Sequence, residues 1–373
     1  MSGSTTGSAR DAAALAALAL AAGVFAALSS DFLGARNLSM LAIELSTTAI
    51  LALGMFMVIL PGHIDLSAGS GVGLVGAATA VLITIYGWPA WAAMAVSLVL
   101  AVLIWRTMGS LIVTQRMPSF IITLGGLLVF KGLFWLIIRS ATVPVSSGGR
   151  MNLLARLTTT YLPPAAGWAL AAAACAGLFG LWFRRARARR AGADVEEGFL
   201  KTVISAQLVI LFVLTMNHFR GVPVPALLLA ISAAFVVIVT ERTAFGRRLY
   251  AIGGNEEAAL LAGINVKGTI ISAYALMGGA VALTGFMQTA YTGAATTTVG
   301  DLMELDAVAA CVIGGTSLKG GRGDARGVLF GALIMATLLN GMTLLAVSPE
   351  IKYIARGLVL SLAVWLDARL SRA

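Results

Sequence analysis

"FGRRLYAIGGNEEAALLAGINVKG", Phe245 to Gly268, is a well-formed polar insert between two apolar runs, in a chain of 373 residues that is 59% hydrophobic and only 11% charged. Read locally, "GGNEEAALLAGIN" spells one short helix. Asn255 is a good N-cap, Glu256 and Glu257 suit the positive N-terminal end, and Gly263 supplies the stop. That gives about two turns, whereas a helix alone in water needs roughly 12 to 15 residues, so something must hold it. Arg247 and Arg248 tie its approach to a charged lipid face, while Leu260, Leu261 and Ile264 offer an apolar side that lipid does not obviously cover. A partner protein over that side and an amphipathic turn lying on the bilayer are the two readings.

The sequence on either side of the insert is built for lipid. A mean hydropathy of +0.94 excludes a soluble globule, whose surface needs about 25% charged residues. Apolar stretches recur near 12–29, 38–60, 67–86, 90–112, 119–138, 165–183, 200–218, 225–240, 269–290, 304–316, 327–346 and 351–366. Most have the roughly 17 to 25 residues that carry a helix across a hydrocarbon core about 30 Å thick. The 304–316 piece is too short to span and reads as a half-helix or part of a broken one. The fold class that follows is an all-α polytopic membrane protein with about 10–12 transmembrane helices, broken or half helices included. No linker long enough to separate two domains interrupts it, so 1–373 reads as a single transmembrane domain.

The net charge of +10 is a topology signal and not a nucleic-acid footprint, because Lys and Arg cluster between the spans. With "RRARARR" (Arg184 to Arg190) and the insert in the cytoplasm, alternation puts roughly 18 of the 26 basic residues inside and about six outside. Lys131 and Arg356 fall within spans, and both termini are then cytoplasmic. The first apolar run follows "MSGSTTGSARD", which lacks a basic n-region, and reads as an uncleaved span. Arg139 to Pro164 is an external loop in this topology. Arg184 to Glu197 is a cytoplasmic loop, either held to anionic lipid or carrying topogenic charge alone. Cys175 and Cys311 sit in apolar runs and make neither a disulfide framework nor a metal site.

Soluble-enzyme motifs fail on context. "GVGLVG" (Gly71 to Gly76) matches a dinucleotide fingerprint in form, but a membrane span follows it, so helix packing is the better reading. "GGTSLKGGRGD" (Gly314 to Asp324) lacks the G-K-[ST] of a phosphate loop, and His63 and His218 stand far apart without other ligands near them. No catalytic residue, bound cofactor or metal is expected in this chain. What remains are polar groups inside spans, which are expensive in lipid. In "LPGHIDLSAGSG" (Leu60 to Gly71), Pro61 and Gly62 end one helix, and Asp65 or Ser67 can accept from the free amides that open the next. Asp65 is then either part of a wet passage or a plain cap at the membrane edge. Glu44, Lys131 and Arg356 are substrate contacts or members of buried ion pairs, and Lys131 has snorkelling to the interface as a further reading. Thr47, Thr48, Thr123, Gln288, Asn340 and Thr343 are ligands or helix–helix hydrogen bonds. Thr48, His63, Asp65, Ser67, Thr123 and Asn340 form the candidate pathway set. A faint echo relates "LSAGSGVGLVGA" from Leu66 to "LKGGRGDARGVLFGA" from Leu318, as repeated halves would.

"TAFGRRLYAIGGNEEAALLAGINV" (Thr243 to Val266) resembles the cytoplasmic coupling segment of sugar permeases of ATP-binding-cassette importers, of the ribose and xylose type. Further matches are "NLSMLAIELSTTAILALGMFMVILPGHIDLSAGS" from Asn37, "MPSFIITLGGLLVFKG" from Met117, "RGVPVPALLL" from Arg220, "ELDAVAACVIGGTSLKGG" from Glu304, "NGM" at Asn340 and "GLVLSLAVWLD" from Gly357. The resemblance runs in order through nearly everything after residue 37. It implies the type II importer transmembrane fold and ATP-driven alternating access. ATP and Mg are then held by a separate cytoplasmic ATPase, a periplasmic sugar-binding protein delivers the solute, and a second permease copy completes a homodimer in a bacterial inner membrane. In the coupling segment, 241–268, the positions carried over are Gly254, Asn255, Glu256, Ala259 and Gly263. Arg247, Glu257 and Leu260 join them from the local reading. Xylose or a related monosaccharide is the implied cargo, although His63 departs from the residue xylose permeases carry there. An ion-coupled secondary sugar transporter is the rival class, and it would need Glu44 and Asp65 as a carboxylate relay.

Overall fold

A hydrocarbon core offers no water to backbone amides and carbonyls, so each long apolar run satisfies its own as a helix. The computed structural model describes residues 3–146, 151–188 and 193–370. The chain begins with α1 (Gly3–Leu28), α2 (Ala35–Ile59), α3 (Ala68–Thr84), α4 (Ala90–Thr114) and α5 (Ser119–Ile138). β1 (Val143–Pro144), α6 (Leu153–Thr159) and β2 (Tyr161–Leu162) follow, then α7 (Pro164–Ala188), α8 (Ala193–Asn217), β3 (Val222–Pro223) and α9 (Val224–Arg242). The insert forms α10 (Ala244–Gly254) and α11 (Glu256–Leu261). α12 (Val266–Thr292), β4 (Ala294–Ala295), α13 (Met303–Ile313), α14 (Ala325–Leu344) and α15 (Pro349–Leu370) complete the fold. Among the described residues eight helices, α2, α4, α5, α7, α8, α9, α12 and α14, are long and apolar enough to cross a membrane. Each apolar stretch read from the sequence is a helix, and α13, with 11 residues, reaches only about 16 Å, half a bilayer.

α2 is the axis of the bundle. Its spanning window is 89% buried, against 11–33% for α4, α5, α7, α8 and α9, so its surroundings are protein and theirs are open to lipid or another chain. α12, α14, α13 and α9 pack around it, and α3 lies between α12, α5 and α4. The close approach of α3 and α12 needs bare backbone. A methyl group on Gly76 would strike the Gly285 carbonyl and Thr289 Oγ1, and one on Gly285 would strike the Val72 carbonyl. This is the packing role expected of "GVGLVG". The α7–α8 hairpin is peripheral and meets the bundle through α8 and α2.

Two expected loops are structured. Between Arg139 and Pro164, β1 pairs antiparallel with β4 (Val143 opposite Ala295) and β2 with β3 (Tyr161 opposite Pro223). Asn152 caps α6 by accepting from the Ala155 amide at 3.0 Å, and Leu154 is fully buried beneath it. A connection lying on the bundle must satisfy its backbone groups locally, and these short pairings do so. Residues 147–150 of that stretch lie outside the described residues. The expected loop from Arg184 to Glu197 is also largely helical, because α7 runs on to Ala188 and α8 begins at Ala193, with a Glu197–Lys201 pair of 2.6 Å one turn apart. Charged residues continue a helix freely once it leaves the hydrocarbon; Arg189 and Arg190 lie outside the described residues.

Gly76→Leu should separate α3 from α12 and cost about 1–3 kcal/mol or more, read as a lowered midpoint of thermal unfolding in detergent.

Candidate coupling and translocation sites

The insert is two helices where the sequence reading gave one. Thr243 caps α10 by accepting from the Gly246 amide at 3.2 Å, and Asn255 caps α11 by accepting from the Ala258 amide at 2.9 Å. Gly263, at φ +77°, turns the chain, and Asn265 then caps α12 by accepting from Gly268 at 2.9 Å. α10 escaped notice because Gly246, Gly253 and Gly254 depress helix propensity. Its signal was present in Thr243 as a cap and in Phe245, Leu249 and Ile252 at i, i+4, i+7 spacing. Gly246, Leu249 and Ile252 are the buried face of that helix.

α10 rests on the two broken segments of the bundle. The Gly321 amide donates to the Leu60 carbonyl at 2.9 Å, and the Tyr250 hydroxyl donates to the Gly323 carbonyl at 2.9 Å. Burial first, then the charges of Asp324 and Glu241, raise the Tyr250 phenol above its usual range, which keeps it a donor. Gly253 is pressed between them, where a methyl group would overlap the Leu60 carbonyl and the Gly321 amide. The break after α2 and the turn-rich loop before α14 therefore meet under the insert.

The other coupling candidates divide by exposure. Arg247, Gly254, Asn255, Glu256, Glu257, Leu260 and Gly263 are exposed, with Leu261 beside them at 86%. Ala259 faces the bundle and is buried. Ile264, expected on the outward apolar side with Leu260 and Leu261, packs instead against the core, because the Gly263 turn swings it inward.

Four of the six pathway candidates gather around the break at Pro61. Asp65 is fully buried and accepts from the Ser67 amide (2.9 Å), Ser67 Oγ (2.6 Å) and Trp105 Nε1 (2.5 Å). Thr123 Oγ1, also buried, donates to the Ser119 carbonyl at 2.9 Å and lies 3.3 Å from that of Ile64. His63 is half-buried, its ring 6.3 Å from that of Tyr274. Thr48 and Asn340 stand apart, nearer the opposite face. There Asn340 Nδ2 donates to Glu44 Oε2 at 3.0 Å, the Tyr291 hydroxyl donates to Glu44 Oε1 at 2.8 Å, and Asn37 donates to Asn340 Oδ1 at 2.9 Å. Thr48, one turn from Glu44 on α2, is buried.

Lys131 and Arg356 are in ion pairs, to Asp301 at 2.7 Å and to Asp306 at 3.1 Å. The partners Asp301, Asp306, Trp105, Tyr291 and Asn37 were not singled out from the sequence. Trp105 is hidden in an apolar run, where only its indole N–H is polar. Asp301 lies just before α13 and Asp306 in its first turn, where any helix favours negative charge, so nothing local marked them as counter-ions.

An all-helical bundle with eight membrane-length helices, broken segments and a capped insert is a multi-pass membrane permease of the ATP-binding-cassette importer type. Residues 37–364 match the family described as branched-chain amino acid transport system / permease component, and the chain belongs to that family. It is 40% identical over 346 residues to the xylose transport system permease protein XylH of Escherichia coli, covering 91% of this chain and 87% of that one. The protein of the same name in Haemophilus influenzae is 40% identical over 342 residues, 90% of each chain. The ribose import permease protein RbsC of Bacillus subtilis is 33% identical over 352 residues, 92% of this chain and 88% of that one. No solved structure matches.

Two substitutions check these placements. Trp105→Phe leaves a buried carboxylate oxygen without its donor and should cost about 1–3 kcal/mol in thermal stability. Gly253→Ala should lift α10 from its seat, seen as faster hydrogen exchange at the Gly321 amide while the amides of α2 stay protected.

Proposed function

We propose that this chain is the membrane-embedded subunit of an importer that carries a monosaccharide, xylose or a related sugar, into the cytoplasm by ATP-driven alternating access. The observation that carries the reading is the capped insert, with its outward Glu256, Glu257, Leu260 and Leu261, placed on the two broken segments of the bundle. A small element fixed at both ends transmits rigid-body motion, and its exposed apolar residues fit the cleft of a cytoplasmic ATPase. Segment 241–268 is thus the coupling segment of a single transmembrane domain. The names of the relatives, xylose and ribose permeases, support the sugar and the importer class.

The ATPase subunit holds ATP and Mg, and this chain performs no chemistry and binds no cofactor. A periplasmic sugar-binding protein supplies affinity, so the permease needs only a passage that opens when ATP closure favours the outward state. A second copy of the chain completes the passage. With the insert in the cytoplasm of a bacterial inner-membrane protein, alternation of the helices puts both termini there too. A proton or sodium relay through Glu44 and Asp65 is disfavoured because both Asp65 oxygens are occupied by Ser67 and Trp105, and Glu44 belongs to a separate network nearer the other face.

Radiolabelled xylose uptake into proteoliposomes holding this chain with its ATPase and binding protein tests the reading. Uptake should require ATP and fall about 10-fold or more in Glu256→Arg, with weakened co-purification of the ATPase. Uptake driven by an ion gradient without the ATPase would refute it.

A further inference from the structure

A cavity of about 250 Å³ lies between α5 and α15, floored by α3 and by the turn that enters α13. Ser70, Lys131, Asp301, Glu304 and Tyr353 line it, and of these only Lys131 was weighed as a substrate contact from the sequence. Lys131 stands near the middle of α5, and its pair with Asp301 keeps 34% and 27% of the two side chains exposed. A charged pair with a third of its surface open at that depth faces water and not acyl chains, because hydrocarbon would solvate neither ion. The space around the pair is thereby marked as a wet one.

Glu304 is the second observation. It is 6% exposed and borders the cavity; its own backbone amide meets its carboxylate, and among the described residues no other side chain hydrogen-bonds it. Room for it is made by Gly69, where a methyl group would overlap Glu304 Oε2 and the Gly300 carbonyl. One backbone bond leaves most of the acceptor capacity of a buried carboxylate unused, and a ligand donor would fill it. Close by, Asp301 offers a further acceptor, Lys131 holds donors beyond the one used by Asp301, and Tyr353 adds a hydroxyl.

We propose that this cavity is where a hydroxyl-rich neutral solute of monosaccharide size is held in transit. Glu304 and Asp301 accept from its hydroxyls, and Lys131 and Tyr353 donate to them. Hydrogen bonds to ionised groups are the strong ones, and within the Lys131–Asp301 pair the two charges offset each other. At about 250 Å³ the space falls below the ~300–1,000 Å³ of sites for drug-sized ligands, which suits a single sugar ring. The inference rests on the sugar-importer reading and names its contact groups.

The test is ATP-driven uptake of labelled xylose and of its stereoisomer ribose by the reconstituted complex. Wild-type uptake of either sugar establishes the importer, after which the variants speak to the cavity alone; no uptake of any sugar would overturn both. Glu304→Gln should lower uptake about 10-fold or change the xylose-to-ribose ratio, with the ATPase still co-purifying. The reversed pair, Lys131→Asp with Asp301→Lys, should fold and co-purify the ATPase but transport with a changed ratio. Unchanged uptake and ratio in Glu304→Gln, or full recovery by the reversed pair, would reduce these groups to struts. If the variants do not assemble, Ser70→Cys in a Cys175→Ser background decides. Reaction with a water-soluble maleimide is expected, and a thiol inert in every nucleotide state would overturn the wet cavity.

Discussion

Backbone groups that leave a helix inside a bilayer need a partner within the protein, and the architecture follows from how that need is met at two places. The chain breaks after Ile59 and again after Ile313. At the first break Asp65 holds the Ser67 amide and hydroxyl and the Trp105 indole, while the Leu60 carbonyl receives the Gly321 amide from the second. The two breaks thus complete each other. α10 seals the joint through Gly253, where only a glycine admits both strands of backbone.

The same need governs charge. In the described part of the membrane region, Lys131 meets Asp301, Arg356 meets Asp306, and Glu44 is held by Tyr291 and Asn340. Two of these pairings fasten the half-helix α13 and its approach to α5 and α15, beside the apolar packing of Ala307 to Val312 in the core. They also place charged groups on the face between α5 and α15. In the proposed importer that face borders the passage, and the insert below transmits the movement of the ATPase to the two breaks.

Much of this was legible in the sequence. Each of the twelve apolar stretches read from hydropathy is a helix among the described residues, Pro61 and Gly62 located the first break, and Asn255 and Gly263 bounded α11. These are local signals, written in residues that act within one or two turns of themselves. α10 and α6 were missed although each has a cap and an apolar spacing, because glycines in one and the surrounding loop residues in the other weakened the propensity that a single window reads.

Among the candidate sites, the sequence alone determined which residues are polar inside apolar runs, that the chain belongs in a membrane, and where its insert begins and ends. Only the tertiary structure decided what those residues do to one another. Asp65 joined to Trp105 spans 40 positions, Lys131 joined to Asp301 spans 170, and Asn37 joined to Asn340 spans 303. It likewise turned Ile264 inward and set Glu304 at the edge of a cavity. The physical reason is that a buried charge or bare carbonyl fixes only the demand for a partner. Which partner arrives depends on how helices far apart in the chain come to lie side by side.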